Sequence, residues 1–91
     1  MPYIPFTEDQ KMTANTIDLP EDLRMRGEKL ERAGREYKLI YTDGSGRHDS
    51  ITMSDSTWFD HKNQVGGRPI KFMQYHYGMT FADAVQALLG Y

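Results

Sequence analysis

Between Gly27 and Pro69 the chain is cut at short intervals by turn-forming residues, and this does most to limit its fold. Gly27 and Gly34 bracket Glu28–Ala33, and Asp43-Gly44-Ser45-Gly46 is a strong turn signal. Asp55-Ser56 marks another turn, and Gly66-Gly67-Arg68-Pro69 reads as a loop entering a helix. The pieces between are rich in strand formers: Tyr37-Lys38-Leu39-Ile40-Tyr41, the alternating Ser50-Ile51-Thr52-Met53, and Thr57-Trp58-Phe59-Asp60. Glu28–Tyr41 admits two readings. Glu28-Lys29-Leu30-Glu31-Arg32-Ala33 contains helix formers that could prolong a preceding helix, but a hairpin turning near Ala33-Gly34-Arg35 is favoured.

Helix signals flank this region. Thr7 is placed as an N-cap, Glu8 and Asp9 suit the positive helix end, and Gln10 completes a capping box for a helix over 8–15. Its slight apolar content, Met12 and Ala14, predicts a surface position. Asp18 caps a second helix with Pro20 and Glu21 in its first turn, an apolar stripe of Leu19 and Leu23, and Gly27 as its stop. Pro69 opens a third helix with Ile70, Phe72, Met73 and Tyr77 on its apolar face and Gly78 at its end. Thr80 and Asp83 start a fourth, in which Phe81, Ala84, Val85, Leu88 and Leu89 recur at helical spacing. Pro2 and Pro5 predict an extended N-terminal arm carrying Tyr3, Ile4 and Phe6. The order helix, helix, three or four strands, helix, helix describes an α+β fold. One domain is expected over 1–91, with arm and first helix in 1–16 and the core in 17–90.

Composition excludes several function classes. With no cysteine there is no disulfide, thiolate zinc site or thiol nucleophile. Eleven Lys and Arg against 13 Asp and Glu do not describe a strong sequence-independent nucleic-acid binder, which needs cations to neutralise phosphates, although local patches remain open. No apolar run approaches the ~18–20 residues of a membrane span. The N-terminus lacks a signal peptide's basic and long apolar regions. A cytoplasmic protein with no membrane partner is expected.

The residues show no Ser/His/Asp arrangement and no visible carboxylate pair, so no enzyme activity is expected. A zinc site from His48, Asp60 and His61 fits poorly, because adjacent strand residues point to opposite faces. Metal and cofactor are both expected to be absent. Gly66-Gly67-Arg68 before a helix start suits a phosphate but lacks the lysine and hydroxyl of a phosphate loop, and a tight turn is the stronger reading. Arg24, Arg26, Lys29, Arg32, Arg35 and Lys38 interleave with Glu28, Glu31 and Glu36, the pattern of a solvated face. Tyr37, Tyr41, Trp58 and Phe59 are strand aromatics. Core packing is expected of at least half of them, and an exposed one could stack on bases.

Five fragments in order carry a family resemblance: Gly34-Arg35-Glu36-Tyr37-Lys38, Asp49-Ser50-Ile51-Thr52-Met53, Trp58-Phe59, Gly66-Gly67-Arg68-Pro69-Ile70-Lys71-Phe72-Met73, and Gly78-Met79-Thr80-Phe81-Ala82-Asp83-Ala84-Val85. Over residues 17–90 this series resembles the N-terminal zinc-binding domain of bacterial DNA primases. Phe6-Thr7-Glu8-Asp9-Gln10-Lys11 and Trp58-Phe59-Asp60-His61-Lys62-Asn63-Gln64 are similar to a cysteine-free version that precedes Toprim domains in proteins of plasmids and conjugative elements. The two C-terminal zinc cysteines would fall near Asp60 and Asn63, and the upstream ligands near Ile40 to Gly46, where neither Cys nor His stands. The resemblance therefore implies a hairpin at Glu28–Tyr41 and a small zinc-ribbon-like antiparallel sheet that has lost its metal, with Leu39, Ile51, Trp58 and Phe59 replacing the metal by packing. It implies a non-catalytic module, part of a longer protein, in mobile-element DNA replication or transfer. Such a module would bind single-stranded DNA, or position a downstream Toprim domain or another replication or transfer protein. Arg35, Lys38, Arg47, Lys62 and Arg68 are the candidates for phosphates, and Tyr37 and Trp58 for base stacking. The alternative is a protein-interaction module without nucleic-acid binding, using Phe6, Tyr75 and Tyr77.

Overall fold

A computed structural model describes residues 6–90; the expected arm residues Tyr3 and Ile4 lie outside them. The order is α1 (Glu8–Asn15), α2 (Leu19–Met25), β1 (Lys29–Ala33), β2 (Glu36–Asp43), β3 (Gly46–Ser54), β4 (Thr57–Asp60), β5 (Val65–Gly67), α3 (Pro69–Tyr77) and α4 (Phe81–Leu89). The five strands form one antiparallel meander in sequence order. This is a small α+β fold with helices at both ends of the chain.

Local chemistry sets most of the boundaries. Thr7 accepts from the Gln10 amide and the Gln10 side chain returns to the Thr7 amide, closing the capping box. Asp18 and Thr80 cap α2 and α4 by accepting from Glu21 and Asp83. Gly78 ends α3 in the left-handed conformation, at φ 70°, which glycine adopts without a Cβ penalty. The ambiguous stretch is a hairpin, with Ala33 paired to Glu36 across Gly34-Arg35.

The segment expected as a loop at Gly66-Gly67 is instead a fifth strand, paired with β4. Glycine has little strand propensity of its own; tertiary packing makes this strand. A Cβ at Gly66 would lie 2.7 Å from both a Phe59 ring carbon and the Trp58 carbonyl, and one at Gly67 would lie 2.8 Å from the Lys71 side chain. Only glycine at 66 lets β5 lie this close to the Trp58 carbonyl and the Phe59 ring of β4.

One face of the sheet is covered. Leu39, Ile51, Met53 and Trp58 join Leu19, Leu23, Phe72, Met73, Val85 and Leu88 in a single buried cluster. Helix α2 lies on β1 and β3, α3 lies on β4 and β5, and α1 and α4 pack on α3. The first helix, expected at the surface, is anchored more firmly than its composition suggests. Ala14 is fully buried, and the Asn15 carboxamide oxygen accepts from the Ile70 amide at 3.1 Å. Arg68, at the N-cap of α3, makes no side-chain cap bond, so α1 supplies the missing acceptor from another helix. Phe59, expected to help replace the metal by packing, is 36% exposed and lies outside the core.

Candidate functional site

The uncovered face of the sheet carries one continuous row. Register places Glu31 beside Lys38, Lys38 beside Thr52, Thr52 beside Phe59, and Phe59 beside Gly66. Their neighbours along each strand, Leu39, Ile51, Met53 and Trp58, point into the core, so alternation turns this row outward. Phe59 leans over Gly66 and meets the His61 ring edge-on at 5.0 Å. The His61 Nε2 lies 2.9 Å from the Thr52 hydroxyl. Lys62 follows, exposed, in the turn joining β4 to β5.

That turn is held from the covered side by Asp60, only 2% exposed. Its Oδ1 accepts from Ser50 Oγ at 2.8 Å and from the amides of Lys62 and Asn63 at 3.0 and 3.4 Å. Its Oδ2 accepts from Tyr75 Oη at 2.7 Å and Asn63 Nδ2 at 3.0 Å. Burial alone would raise the Asp60 pKa, but the bonds from Tyr75, Ser50 and Asn63 outweigh it and bring it down to about 2. Asp60 and Asn63, the positions expected to replace zinc ligands, are therefore joined directly. Tyr75 Oη also accepts from Asn63 Nδ2 at 2.8 Å.

A second cluster stands at the β2–β3 end. Leu39 pairs with Ile51 and Tyr41 with His48, so Ile40 faces two residues, Asp49 and Ser50, in a bulge. The Tyr41 ring stacks on His48 at 4.8 Å and meets His76 edge-on at the same distance. His48 Nε2 lies 2.9 Å from both Asp43 Oδ1 and Ser45 Oγ. Ser45, first through its hydroxyl and then its amide, together with His48 holds Asp43 down at a pKa of about 2. Burial lowers the His76 pKa.

The candidate residues fall in different places. Lys38 stands on the open row. Arg35 is exposed in the β1–β2 turn. Arg47 is engaged by Glu31 at 3.5 Å and Asp49 at 3.2 Å. Arg68 donates to Ser56 Oγ at 2.9 Å from the strand end of α3.

Both stacking candidates lie on the covered face. Trp58 is 4% exposed; its indole N–H donates to the Arg68 carbonyl, and its ring meets Phe72 edge-on and Tyr75 stacked. Tyr37 packs against the core beneath the Arg24 guanidinium, 4.6 Å above the ring, with Arg32 at 5.6 Å. The reason is register. The two-residue turn Asp55-Ser56 pairs Ser54 with Thr57, which sets Trp58 opposite buried Met53 and Phe59 opposite outward Thr52. Of the four strand aromatics Phe59, expected to pack, is the one on the open face. The alternation of Ile51 and Met53 around Thr52, carried across that turn, identifies it.

The alternative interface also disperses. Phe6 and Tyr77 pack against the core, and the Tyr75 hydroxyl is committed to Asp60. His48, Asp60 and His61 do not converge: Asp60 faces the core, His61 bonds Thr52 outside, and His48 sits with Asp43. Among the described residues no group of three or more His, Asp or Glu side chains is placed to hold a metal. Nor, among them, is any helix long and apolar enough to cross a membrane.

Beside the β5 edge lies a groove of about 880 Å³ bounded by α1, β5, the first turns of α3 and the ring of Phe81. Lys11, Arg68 and Lys71 line it, with Glu8 as the acidic member. No family model matches this chain, and no curated protein matches it.

Proposed function

We propose that this domain is a non-catalytic, primase-like module that binds single-stranded nucleic acid on the open face of its sheet. The observation that carries the reading is the outward row Glu31–Lys38–Thr52–Phe59–Gly66, in which an accessible aromatic stands beside a hydroxyl, with Lys38 one strand further on and Lys62 exposed in the adjoining turn. Single strands are held by stacking on such rings while cations follow the backbone, and every base offers a π-face. In this reading Phe59 takes a base, Lys38 and Lys62 take phosphates, and Thr52 and His61 fix the edge of the ring's surroundings. Arg47 contributes little, because Glu31 and Asp49 already neutralise it. The resemblance to primase zinc-binding domains supports the same function in mobile-element DNA replication or transfer, alongside a Toprim domain.

The −2 net charge limits the affinity. Binding on the order of 10⁻⁵ M at low salt is expected, within the range of non-specific association. Anisotropy titration of fluorescein-labelled oligothymidine tests it. Two phosphate contacts give a log–log salt slope of about −1.4 for a single strand. Phe59→Ala removes one stacking contact and weakens binding about tenfold, whereas Trp58→Phe leaves the affinity of the folded domain within about twofold. No saturation at millimolar protein, or equal binding by Phe59→Ala, contradicts the proposal.

A further inference from the structure

The groove beside β5 presents a sheet edge as well as charge. The direction of the backbone groups on that edge follows from the hairpins. Ser54 and Thr57 close a two-residue turn and so exchange hydrogen bonds. In an antiparallel ladder such pairs alternate with non-bonded ones, so Thr52–Phe59 and Ser50–His61 are bonded pairs as well. The His61 amide does donate to the Ser50 carbonyl, at 2.8 Å. Phe59 therefore spends its backbone groups on β3, and Trp58 and Asp60 turn theirs toward Gly67 and Val65. Gly66, opposite Phe59, points its own N–H and C=O away from the sheet. Among the described residues no strand pairs with that edge.

The edge forms one wall of the groove and α1 forms the other. Eight residues of helix at ~1.5 Å each run about 12 Å, the span of roughly four extended residues. The walls carry Lys11, Arg68 and Lys71 against one carboxylate, Glu8, which lies 3.3 Å from Lys11. Between the charges stand apolar surfaces, with Met12 64% and Phe81 42% exposed. A backbone edge asks for alternating amide donors and acceptors, which a nucleic-acid strand does not offer and an extended peptide does. The excess of cations asks for carboxylates.

We propose that this groove binds an extended acidic segment of a partner protein, which adds as a short strand at Gly66 and sets its carboxylates against Lys11, Arg68 and Lys71. The site shares the Gly66 backbone with the end of the open row and uses neither Lys38 nor Lys62.

The probe is the fluorescein-labelled peptide Glu-Asp-Val-Asp-Val-Glu, with an analogue of equal charge N-methylated at its central amides. Saturable binding is expected, at least tenfold weaker for the N-methylated analogue. Lys71→Glu and Lys11→Glu, each checked for an unchanged melting curve, should weaken it at least fivefold, and Lys29→Glu, on β1 at the opposite edge of the sheet, should not. Hydrogen exchange at the Gly66 amide should slow on saturation. Equal binding of the N-methylated analogue, unchanged exchange at Gly66, or no saturation at millimolar peptide overturns the proposal. So does oligothymidine binding that Lys71→Glu weakens as much as it weakens the peptide, which would make the groove a nucleic-acid channel. Failure of the peptide with intact oligothymidine binding removes only this inference; the converse removes only the open-face reading.

Discussion

Asp60→Asn tests how the domain holds its β4–β5 turn. The carboxylate receives five hydrogen bonds on two oxygens, from Ser50, Lys62, Asn63 twice and Tyr75. Asparagine keeps one acceptor oxygen and turns an NH₂ group toward Asn63 Nδ2, itself a donor. At least one buried bond to a charged acceptor is lost, which costs about 1.5–3 kcal/mol. The same bonds, read through the titration of Asp60, give a similar figure. The drop of the Asp60 pKa from 3.8 to about 2 corresponds to about 2 kcal/mol of folding free energy at neutral pH. The folded-state pKa lies below the unfolded one, so this contribution is complete above about pH 4 and is lost as pH falls through about 2. Asp43 titrates in the same window, so the comparison must be parent against variant at each pH. Urea unfolding followed by circular dichroism should show Asp60→Asn less stable by about 2 kcal/mol at pH 7, or about 10–15 °C in Tm for a domain of this size. The gap should narrow between pH 4 and pH 2. A loss below about 0.5 kcal/mol at pH 7, or a gap independent of pH, refutes the reasoning.

Asn15→Ala removes the acceptor that α1 lends to the start of α3 and should cost about 1 kcal/mol in urea unfolding. Gly66→Ala drives a Cβ into the Phe59 ring and the Trp58 carbonyl, 2.7 Å from each; a loss of about 1–3 kcal/mol is expected, with the Phe59 and Gly66 resonances shifted in an NMR spectrum. Trp58→Phe leaves the Arg68 carbonyl without its indole donor and opens space beside Phe72. It should destabilise by about 1–3 kcal/mol, while exposed Phe59→Ala changes stability by under about 1 kcal/mol.

The sequence made the helices legible because their caps are local chemistry. Thr7 with Gln10, Asp18, Thr80 and Gly78 each act within one turn of their own helix. The β3–β4 hairpin was legible for the same reason, since Asp55-Ser56 acts at the turn itself; the β1–β2 hairpin is favoured at Gly34 but not decided locally, because Glu28–Ala33 also contains helix formers. What escaped depends on contacts distant in sequence. Val65-Gly66-Gly67 lies as a strand against β4 because Gly66 leaves room for the Phe59 ring and the Trp58 carbonyl, and no propensity scale contains that fact. Asn15 caps a helix 54 residues downstream. The aromatic pair Trp58-Phe59 shows the boundary between the two cases. Alternation says that one ring is buried and the other exposed, and the register across Asp55-Ser56 decides which. The cation groove joins α1 to α3 and β5, so its members Lys11 and Lys71 carry no mutual signal along the chain.

The central claim concerns where nucleic acid meets this domain. A ¹⁵N-labelled sample of the full 91-residue chain titrated with oligothymidine at low salt locates the contact residue by residue. The account predicts progressive, saturating shifts at Lys38, Thr52, Phe59, His61 and Lys62, with Leu19, Leu23 and Val85 on the far side unmoved. Shifts confined to the helical side, or no shifts at an oligonucleotide concentration several times that of the protein, would contradict it.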